Sequence, residues 1–261
     1  MKVLVLGSKG QLGKCLLDQL IKTSYEVIYL SRSDFDIGDL KSLSENMLLL
    51  KPAIVINASA YTAVDNAEND HKSVNLINHL AVAELANICK ILNAWLIHIS
   101  TDYVFDGLAS HPYAPDDLVN PINEYGRSKL AGELAIKQYC KSYFIVRTSS
   151  VFSEHGANFL KTILSLLQSK EQINVISNQY ITPTYAKDLA EALVKIAIKI
   201  SAESIPSNIY HYAGNETCSW YDFAKCIMQA ASKDSNLFNV KLLPISYLDY
   251  PQVAQRPNYS S

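Results

Sequence analysis

The chain of 261 residues has no excess charge of either sign: 23 lysines and arginines stand against 25 aspartates and glutamates, a net charge of −2. So balanced a composition gives no electrostatic reason to expect nucleic acid or an anionic membrane as a partner. Cysteine is sparse as well. Cys15, Cys89, Cys140, Cys218 and Cys226 are odd in number, far apart and form no C-x-x-C; this argues against a disulfide framework or a zinc knot and for a reducing, cytoplasmic setting. The six histidines show no H-E-x-x-H or comparable ligand spacing, so no metal is expected and ordinary core or surface packing is the expectation for each. Long apolar runs are missing too. Even residues 189–200 are interrupted by Glu191, Lys195 and Lys199, well short of the ~20 residues a membrane helix needs. The first residues pass from a short apolar run straight to Gly7 and polar neighbours, which reads as a strand rather than a signal peptide.

What the chain does have is a globular balance, with 49% hydrophobic and 18% charged residues and a mean hydropathy of +0.03. Its length suits one large domain or two interleaved ones. Apolar runs at 3–6, 27–30, 54–57, 95–100 and 144–147 alternate with amphipathic segments, the pattern of an α/β protein with a doubly wound parallel sheet. The runs at 3–6 and 53–56 are continuously apolar, as strands covered on both faces must be. Between them, Leu12, Leu16, Leu17 and Leu20 recur at helical spacing, as do Leu80, Ala83, Leu85, Ile88 and Leu92.

Past residue 150 the pattern loosens. Pro183 and the stretch 204–208 bracket a helix with Leu189, Leu193, Ile196 and Ile200 on one face. Ser219 and Asp222 form a capping-box-like start to another helix. The expected organisation is a dinucleotide-binding unit of residues 1–149 with 184–214, and a smaller C-terminal lobe of 150–183 with 215–261. The closing helix such a lobe normally has is not in the sequence, so the chain reads as C-terminally truncated.

Three constellations carry chemistry. Gly7, Gly10 and Gly13 form a GxxGxxG directly after the first apolar run and at the start of a helical pattern. Glycines there let a diphosphate approach the backbone and the free N–H groups of a helix N-terminus, although a tight βα turn alone would also explain them. At the end of the second run the acid that usually meets the ribose of NAD is missing, and the sequence reads Ser31-Arg32-Ser33. Arg32 with Ser31 can hold a 2′-phosphate, so NADPH is expected over NADH, with NADH as a second cofactor; Asp36 and Ile37 are placed to flank the adenine. Next, Tyr125 and Lys129 stand four apart on a predicted helix, so phenol and ammonium share one face. A neighbouring cation eases ionisation of a phenol whose ordinary pKa is near ~10, which suits Tyr125 to proton transfer. Finally Thr101 and Asp102 lie at the end of the fourth run, where ligands bind in open α/β sheets. Small residues after the third run, around Ala60 and Thr62, leave room for a cofactor. Arg147 and Arg256 are candidate partners of a diphosphate, and structural ion pairs serve equally well for both.

Taken together, the GxxGxxG start, NASAYTAVDNAE, ISTDYVFDG, PINEYGRSKLAGE, VRTSSVF and YHYAGNETCSWYDFA resemble the extended short-chain dehydrogenase/reductase superfamily, and within it the dTDP-4-dehydrorhamnose reductase family, over nearly the whole chain. The resemblance implies a Rossmann-like fold and NAD(P)H-dependent reduction of the 4-keto group of dTDP-6-deoxy-L-lyxo-4-hexulose to dTDP-L-rhamnose. It implies Tyr125 as proton donor, Lys129 as its cationic partner and ribose ligand, and Thr101 as the third catalytic residue. Gly10, Gln11 and Leu12 would lie along the diphosphate, Ala60, Tyr61 and Thr62 beside the cofactor, and Thr101, Asp102, Tyr125, Ser150 and Arg256 near a nucleotide-sugar substrate. A homodimer is an expected assembly. Three positions depart from the family: Ser150 replaces a common tryptophan, residues 178–184 read NQYITPT, and Cys15 stands where some relatives carry a glutamate involved in a metal-bridged dimer. Reduction or epimerisation of another nucleotide-deoxysugar, and a non-catalytic NADP-binding regulatory subunit, stay open as alternatives.

Overall fold

The computed structural model describes residues 1–203, 205–232 and 240–260; Ser204, in the bracketing stretch named above, and the final Ser261 lie outside the described residues. The elements follow the chain as β1 (Lys2–Leu6), α1 (Gln11–Leu20), β2 (Glu26–Leu30), α2 (Leu40–Leu50), β3 (Ile54–Asn57), α3 (Val64–Ala67), α4 (His71–Asn75), a π-helical turn (Leu76–Leu80), α5 (Ala81–Leu92), β4 (Trp95–Thr101), α6 (Glu124–Tyr139) and β5 (Tyr143–Thr148). The remainder is β6 (Val151–Phe152), α7 (Phe159–Ser169), β7 (Gln172–Ile176), β8 (Tyr180–Ile181), β9 (Thr184–Tyr185), α8 (Ala186–Ala202), β10 (Asn208–His211), β11 (Cys218–Ser219), α9 (Trp220–Ser232), β12 (Lys241–Ile245) and β13 (Tyr259–Ser260). No helix among the described residues is long and apolar enough to cross a membrane.

Six strands form one parallel sheet in the order β10-β5-β4-β3-β1-β2. The alternation along each strand sends successive side chains to opposite faces, and both faces are covered. Leu4 and Leu6 of β1 join a core with Leu43, Met47, Val82, Leu85 and Ile88, whereas Val3 and Val5 join one with Leu12, Leu16, Leu20, Leu189 and Leu193. The strand order reverses between β1 and β3, which opens a crevice at the carboxyl ends of these strands.

Two expectations on helix faces need correction. Leu17 is 42% and Leu80 40% exposed. In α1 the buried stripe passes through Gly13 and Cys15 instead of Leu17, and the π-helical turn at Leu76–Leu80 shifts the phase so that Val82, Ala86 and Cys89 face inward with Leu85 and Ile88. The short strand β10, which pairs with β5, had no recognisable apolar run in the sequence.

A third core is separate from the sheet. Ile163 and Leu167 of α7, Ile173 and Val175 of β7, and Ala224 and Ile227 of α9 pack together, with β7 and β12 paired in parallel. The capping arrangement at the start of α9 is formed, the Ser219 hydroxyl donating to the Asp222 carboxylate at 2.6 Å and accepting from the Asp222 N–H at 3.0 Å. The chain leaves the large sheet after β5 and rejoins it at β10.

The turn between β1 and α1 is tightly closed. Gly7 has φ +82°, and a Cβ there would sit 2.8 Å from the backbone of Ala58 and Ser59. At Gly13 a Cβ would come 2.3 Å from the Gly7 carbonyl oxygen. Gly13→Ala therefore forces α1 away from the turn. Overpacking of this kind costs about 1–3 kcal/mol, and equilibrium urea unfolding of the variant should show a loss of that size with an unchanged m-value.

Candidate active site

A cavity of about 670 Å³ runs along the crevice. Gly7, Gly10, Gln11 and Leu12 line it at the start of α1, Ser31, Arg32, Asp36 and Ile37 beyond β2, and Ala60, Tyr61 and Thr62 beyond β3. Thr101, Asp102, Tyr125, Lys129 and Ser150 complete the wall. Three of the residues singled out in the sequence, Gly13, Arg147 and Arg256, lie off this wall. Gly13 is packed behind the turn, and Arg256 is held outside by Asp65, with contacts of 2.7 and 3.0 Å. Arg256 keeps the carboxyl of Asp65 below its ordinary range.

At one end, no side chain caps the N-terminus of α1, so its first N–H groups face the cavity and suit an anionic group. The Gln11 side chain turns the other way. Its Nε2 donates to the Val151 carbonyl at 3.1 Å and its Oε1 accepts from Asn158 at 3.2 Å, which ties the segment after β5 to the glycine turn. Beyond β2, Lys9 Nζ donates to Ser33 Oγ at 2.6 Å, and the Arg32 side chain, 88% exposed, lies 3.4 Å from Asp36. An acid follows the second strand after all, but Asp34 folds back to accept from the Ser31 hydroxyl at 2.5 Å and the Ser31 N–H at 3.0 Å, which holds its carboxyl low. Two cations, Lys9 and Arg32, and one carboxylate, Asp36, are left on the cavity wall there; Lys9 was not singled out in the sequence.

At the other end, burial pushes the Tyr125 phenol up to about 12, against a hydrogen bond with Thr101 that lowers it. Burial pushes Lys129 down to about 8, with Glu133 pulling the other way. The Thr101 hydroxyl lies 2.9 Å from Asp102 Oδ1 as a donor and accepts from the Tyr103 N–H at 3.1 Å, so Asp102 and the Tyr125 phenol compete for its single proton. Ser149 also donates to Asp102, at 2.8 Å, and burial raises the Asp102 pKa. Ser150 takes a left-handed backbone, φ +46°, which is uncommon for a residue with a Cβ. Trp220 packs on Phe159 with ring centroids 4.6 Å apart and also reaches the cavity.

Lys129 and Tyr125 are set by a polar layer under α6. Lys129 is 2% exposed; its Nζ donates to the Ile99 carbonyl at 2.6 Å and lies 3.2 Å from His98 Nε2. One turn on, Glu133 receives both Arg147 Nη2 at 2.7 Å and Arg147 Nε at 3.0 Å, and the Ser100 hydroxyl as well. Arg147 is therefore a buried ion-pair residue and faces no diphosphate. On the opposite flank Asn78 Nδ2 donates to the Tyr61 carbonyl and to Ser128 Oγ, both at 3.0 Å, which fixes the segment after β3 against the same helix. None of these partners carries a sequence signal, because strand register and not chain spacing brings them together: Ser100 is opposite Arg147, and Asn57 opposite His98.

A parallel sheet with a glycine turn at its switch point, and a helix that carries Tyr125 and Lys129 into the same crevice as the end of β4, defines a short-chain dehydrogenase/reductase of the extended type. The family model described as RmlD substrate binding domain matches residues 1–261. A dTDP-4-dehydrorhamnose reductase of Aggregatibacter actinomycetemcomitans is 39% identical over 98% of this chain and 88% of its own. The spore coat polysaccharide biosynthesis protein SpsK of Bacillus subtilis is also 39% identical, over 99% of this chain and 88% of its own. Among solved structures, a dTDP-4-dehydrorhamnose reductase from Clostridium acetobutylicum superposes with a TM-score of 0.93 at 35% identity, over 100% of this chain and 89% of that one. One from Bacillus anthracis in complex with NADP gives 0.91 at 35% identity, over 99% and 89%. The chain belongs to the dTDP-4-dehydrorhamnose reductase family.

The buried Arg147–Glu133 pair makes a direct prediction about stability. Arg147→Met leaves an uncompensated carboxylate and should cost about 3–5 kcal/mol, whereas Arg147→Met with Glu133→Leu should recover most of it. Urea unfolding of the two variants measures the difference.

Proposed function

We propose that the chain reduces the 4-keto group of dTDP-6-deoxy-L-lyxo-4-hexulose to give dTDP-L-rhamnose, with NADPH preferred and NADH accepted. The observation that carries this reading is the convergence of Tyr125, Lys129 and Thr101 on one end of a cavity whose other end is an uncapped helix N-terminus behind a glycine turn. The residues present fit the dinucleotide: α1 offers N–H donors for a diphosphate, Lys9 and Arg32 offer cations for a 2′-phosphate, and Asp36 offers an acceptor that a ribose hydroxyl can also use. When bound, the cofactor supplies the hydride for the sugar carbon.

The protein's own part is proton transfer and position. With its pKa high, Tyr125 holds its proton at neutral pH and gives it to the oxygen of the reduced carbonyl. Lys129 stands one helical turn away, where its charge bears on how readily the phenol ionises. Thr101 can hydrogen-bond the substrate oxygen once its proton turns from Asp102. Ser150 and Trp220 are placed beside the sugar nucleotide. The division into a dinucleotide-binding unit (1–149 with 184–214) and a substrate lobe (150–183 with 215–261) belongs to the same reading and is supported by the separate core under α7, β7 and α9. The cytoplasm is the proposed compartment, consistent with cysteines that are all free.

The test is oxidation of NADPH and NADH in the presence of the keto sugar nucleotide. Substrate-dependent oxidation, faster with NADPH, is expected. Tyr125→Phe should lower kcat by about 10²–10⁴-fold with cofactor binding retained. Removing a charge-assisted contact in Arg32→Ser should raise the NADPH KM by about tenfold or more and leave NADH unchanged. A folded protein that binds cofactor but never oxidises it with this sugar contradicts the proposal.

A further inference from the structure

Residues 252–260 run along the outside of the crevice and are tied to several of the parts that build its catalytic end. The knot is Asp65 in α3. Its Oδ1 accepts from the backbone N–H groups of Val253 and Ala254 at 3.2 and 3.0 Å, and its two oxygens take Arg256 Nη1 at 3.0 Å and Nη2 at 2.7 Å. Bidentate pairing of a guanidinium with a carboxylate fixes direction as well as distance, so the segment is closed into a loop against α3, with Ala254 fully buried. From there the Gln255 carbonyl accepts from Asn123 Nδ2 at 2.8 Å, while Asn123 Oδ1 accepts from the Gly126 N–H at 2.7 Å and caps α6. Pro257 and Asn258 lie so close to Gly107 that a Cβ there would meet them at 2.5 and 2.7 Å. At its end the segment pairs as β13 with β8. There the Ser260 carbonyl accepts, at 3.1 Å, from the same Ser149 hydroxyl that donates to Asp102.

These ties converge on Tyr125. It stands two residues past Asn123, in the first turn of α6, where backbone N–H groups have no partner within the helix and the cap sets the path of the chain. Its ring lies edge-on to that of Tyr103, with centroids 5.8 Å apart, and Arg256 sits against the Tyr103 phenol. The first turn is itself pressed on Tyr103, since a Cβ at Gly126 would come 2.2 Å from the Tyr103 carbonyl oxygen. Arg256 therefore bears on Tyr125 by two routes, through Gln255 and Asn123 to the start of the helix and through Tyr103 to the ring. We propose that Arg256 and Asp65 are a positioning pair for the proton donor: fastened together, they hold residues 252–260 against the start of α6 and keep Tyr125 aimed at the end of β4. The inference rests on the reductase reading, which makes Tyr125 the donor. Arg256 acts from off the cavity wall, so its part is to place another residue and not to touch the substrate. The ties run to α3, α6 and the ends of β4 and β5, and not to the glycine turn or α1, so the cofactor end is expected to be indifferent to them.

The test combines kinetics with amide hydrogen exchange. Both side chains of the pair are partly exposed, so each single variant leaves its partner within reach of water. In keto-sugar reduction, Arg256→Gln and Asp65→Asn should each lower kcat by about 10- to 100-fold, the scale of a small misplacement of a reacting group, with the NADPH KM unchanged. The double variant should be no slower than either single one, because the two residues act as one contact. Asn123→Ser keeps a capping oxygen for α6 and loses the N–H for Gln255, and it should share the fall in kcat. Exchange at the Gly126 amide should be faster in Arg256→Gln than in the wild type, with exchange in α1 unchanged. Unchanged kcat in the folded variants overturns the proposal, and so do additive losses in the double variant. A raised KM for the sugar nucleotide with kcat kept, in Arg256→Gln alone, also overturns it and makes Arg256 a substrate ligand. If Asp65→Asn does not fold, Arg256→Gln and Asn123→Ser still decide. If the wild-type protein does not reduce the keto sugar, the reductase reading fails; exchange at Gly126 then decides the clasp separately, and an unchanged rate there overturns it.

Discussion

The site depends on one buried ion pair. Arg147 of β5 and Glu133 of α6 meet in two hydrogen bonds under the helix, both nearly inaccessible to water. Desolvating two charges is expensive, and a pair of this kind is weak evidence of stability. What it provides is register. An apolar helix face can slide or rotate over a sheet at little cost, whereas a guanidinium that must meet a carboxylate in two places cannot. With Ser100, His98 and Ile99 along β4 and Lys129 one turn from Glu133, the pair fixes α6 in rotation and along its axis. Tyr125 is then delivered to the end of β4 at the point where Thr101 emerges.

The proposed cofactor end is built by the opposite means. There the chain removes side chains instead of adding partners: Gly7 and Gly13 let the turn close on Ala58 and on itself, and the start of α1 is left without a cap. A rigid polar clamp at one end of the crevice and an open set of N–H donors at the other suit the proposed reaction, in which a proton donor is held in place while a large anionic cofactor comes and goes. The Gln11 side chain bridges the two, since it anchors the segment that follows β5 to the glycine turn. The separate core of α7, β7 and α9 reaches the crevice through Trp220.

Much of this was legible in the sequence because the physics was local. Strands covered on both faces must be continuously apolar, so 54–57 could be read to the residue, and β1, β2, β4 and β5 to within one at either end. Tyr125 and Lys129 stood out because four residues make one helical turn. What escaped was set by tertiary register. Arg147 could be read equally as a diphosphate partner or as half of an ion pair, because nothing in the chain announces that Glu133 lies across from it. His98 read as an ordinary buried histidine, and its contact with Lys129 depends on how α6 is laid on β4. Leu80 was misplaced because a π-helical turn adds a residue to the helical phase. Asp34 was overlooked as an acid near β2, and its carboxylate is spent on Ser31. Strand β10 alternates exposed and buried residues at the sheet edge, so it lacks the continuous apolar run that marks the central strands.

The most direct measurement is isotopic. The protein is turned over with NADPH deuterated at nicotinamide C4 on the transferred face, in ordinary water, and the sugar product is read by NMR and mass spectrometry. One deuterium at sugar C4 for each cofactor oxidised is the predicted result, with the new hydroxyl proton drawn from solvent through Tyr125. Product without deuterium at C4, or label found at another sugar carbon, would contradict the account.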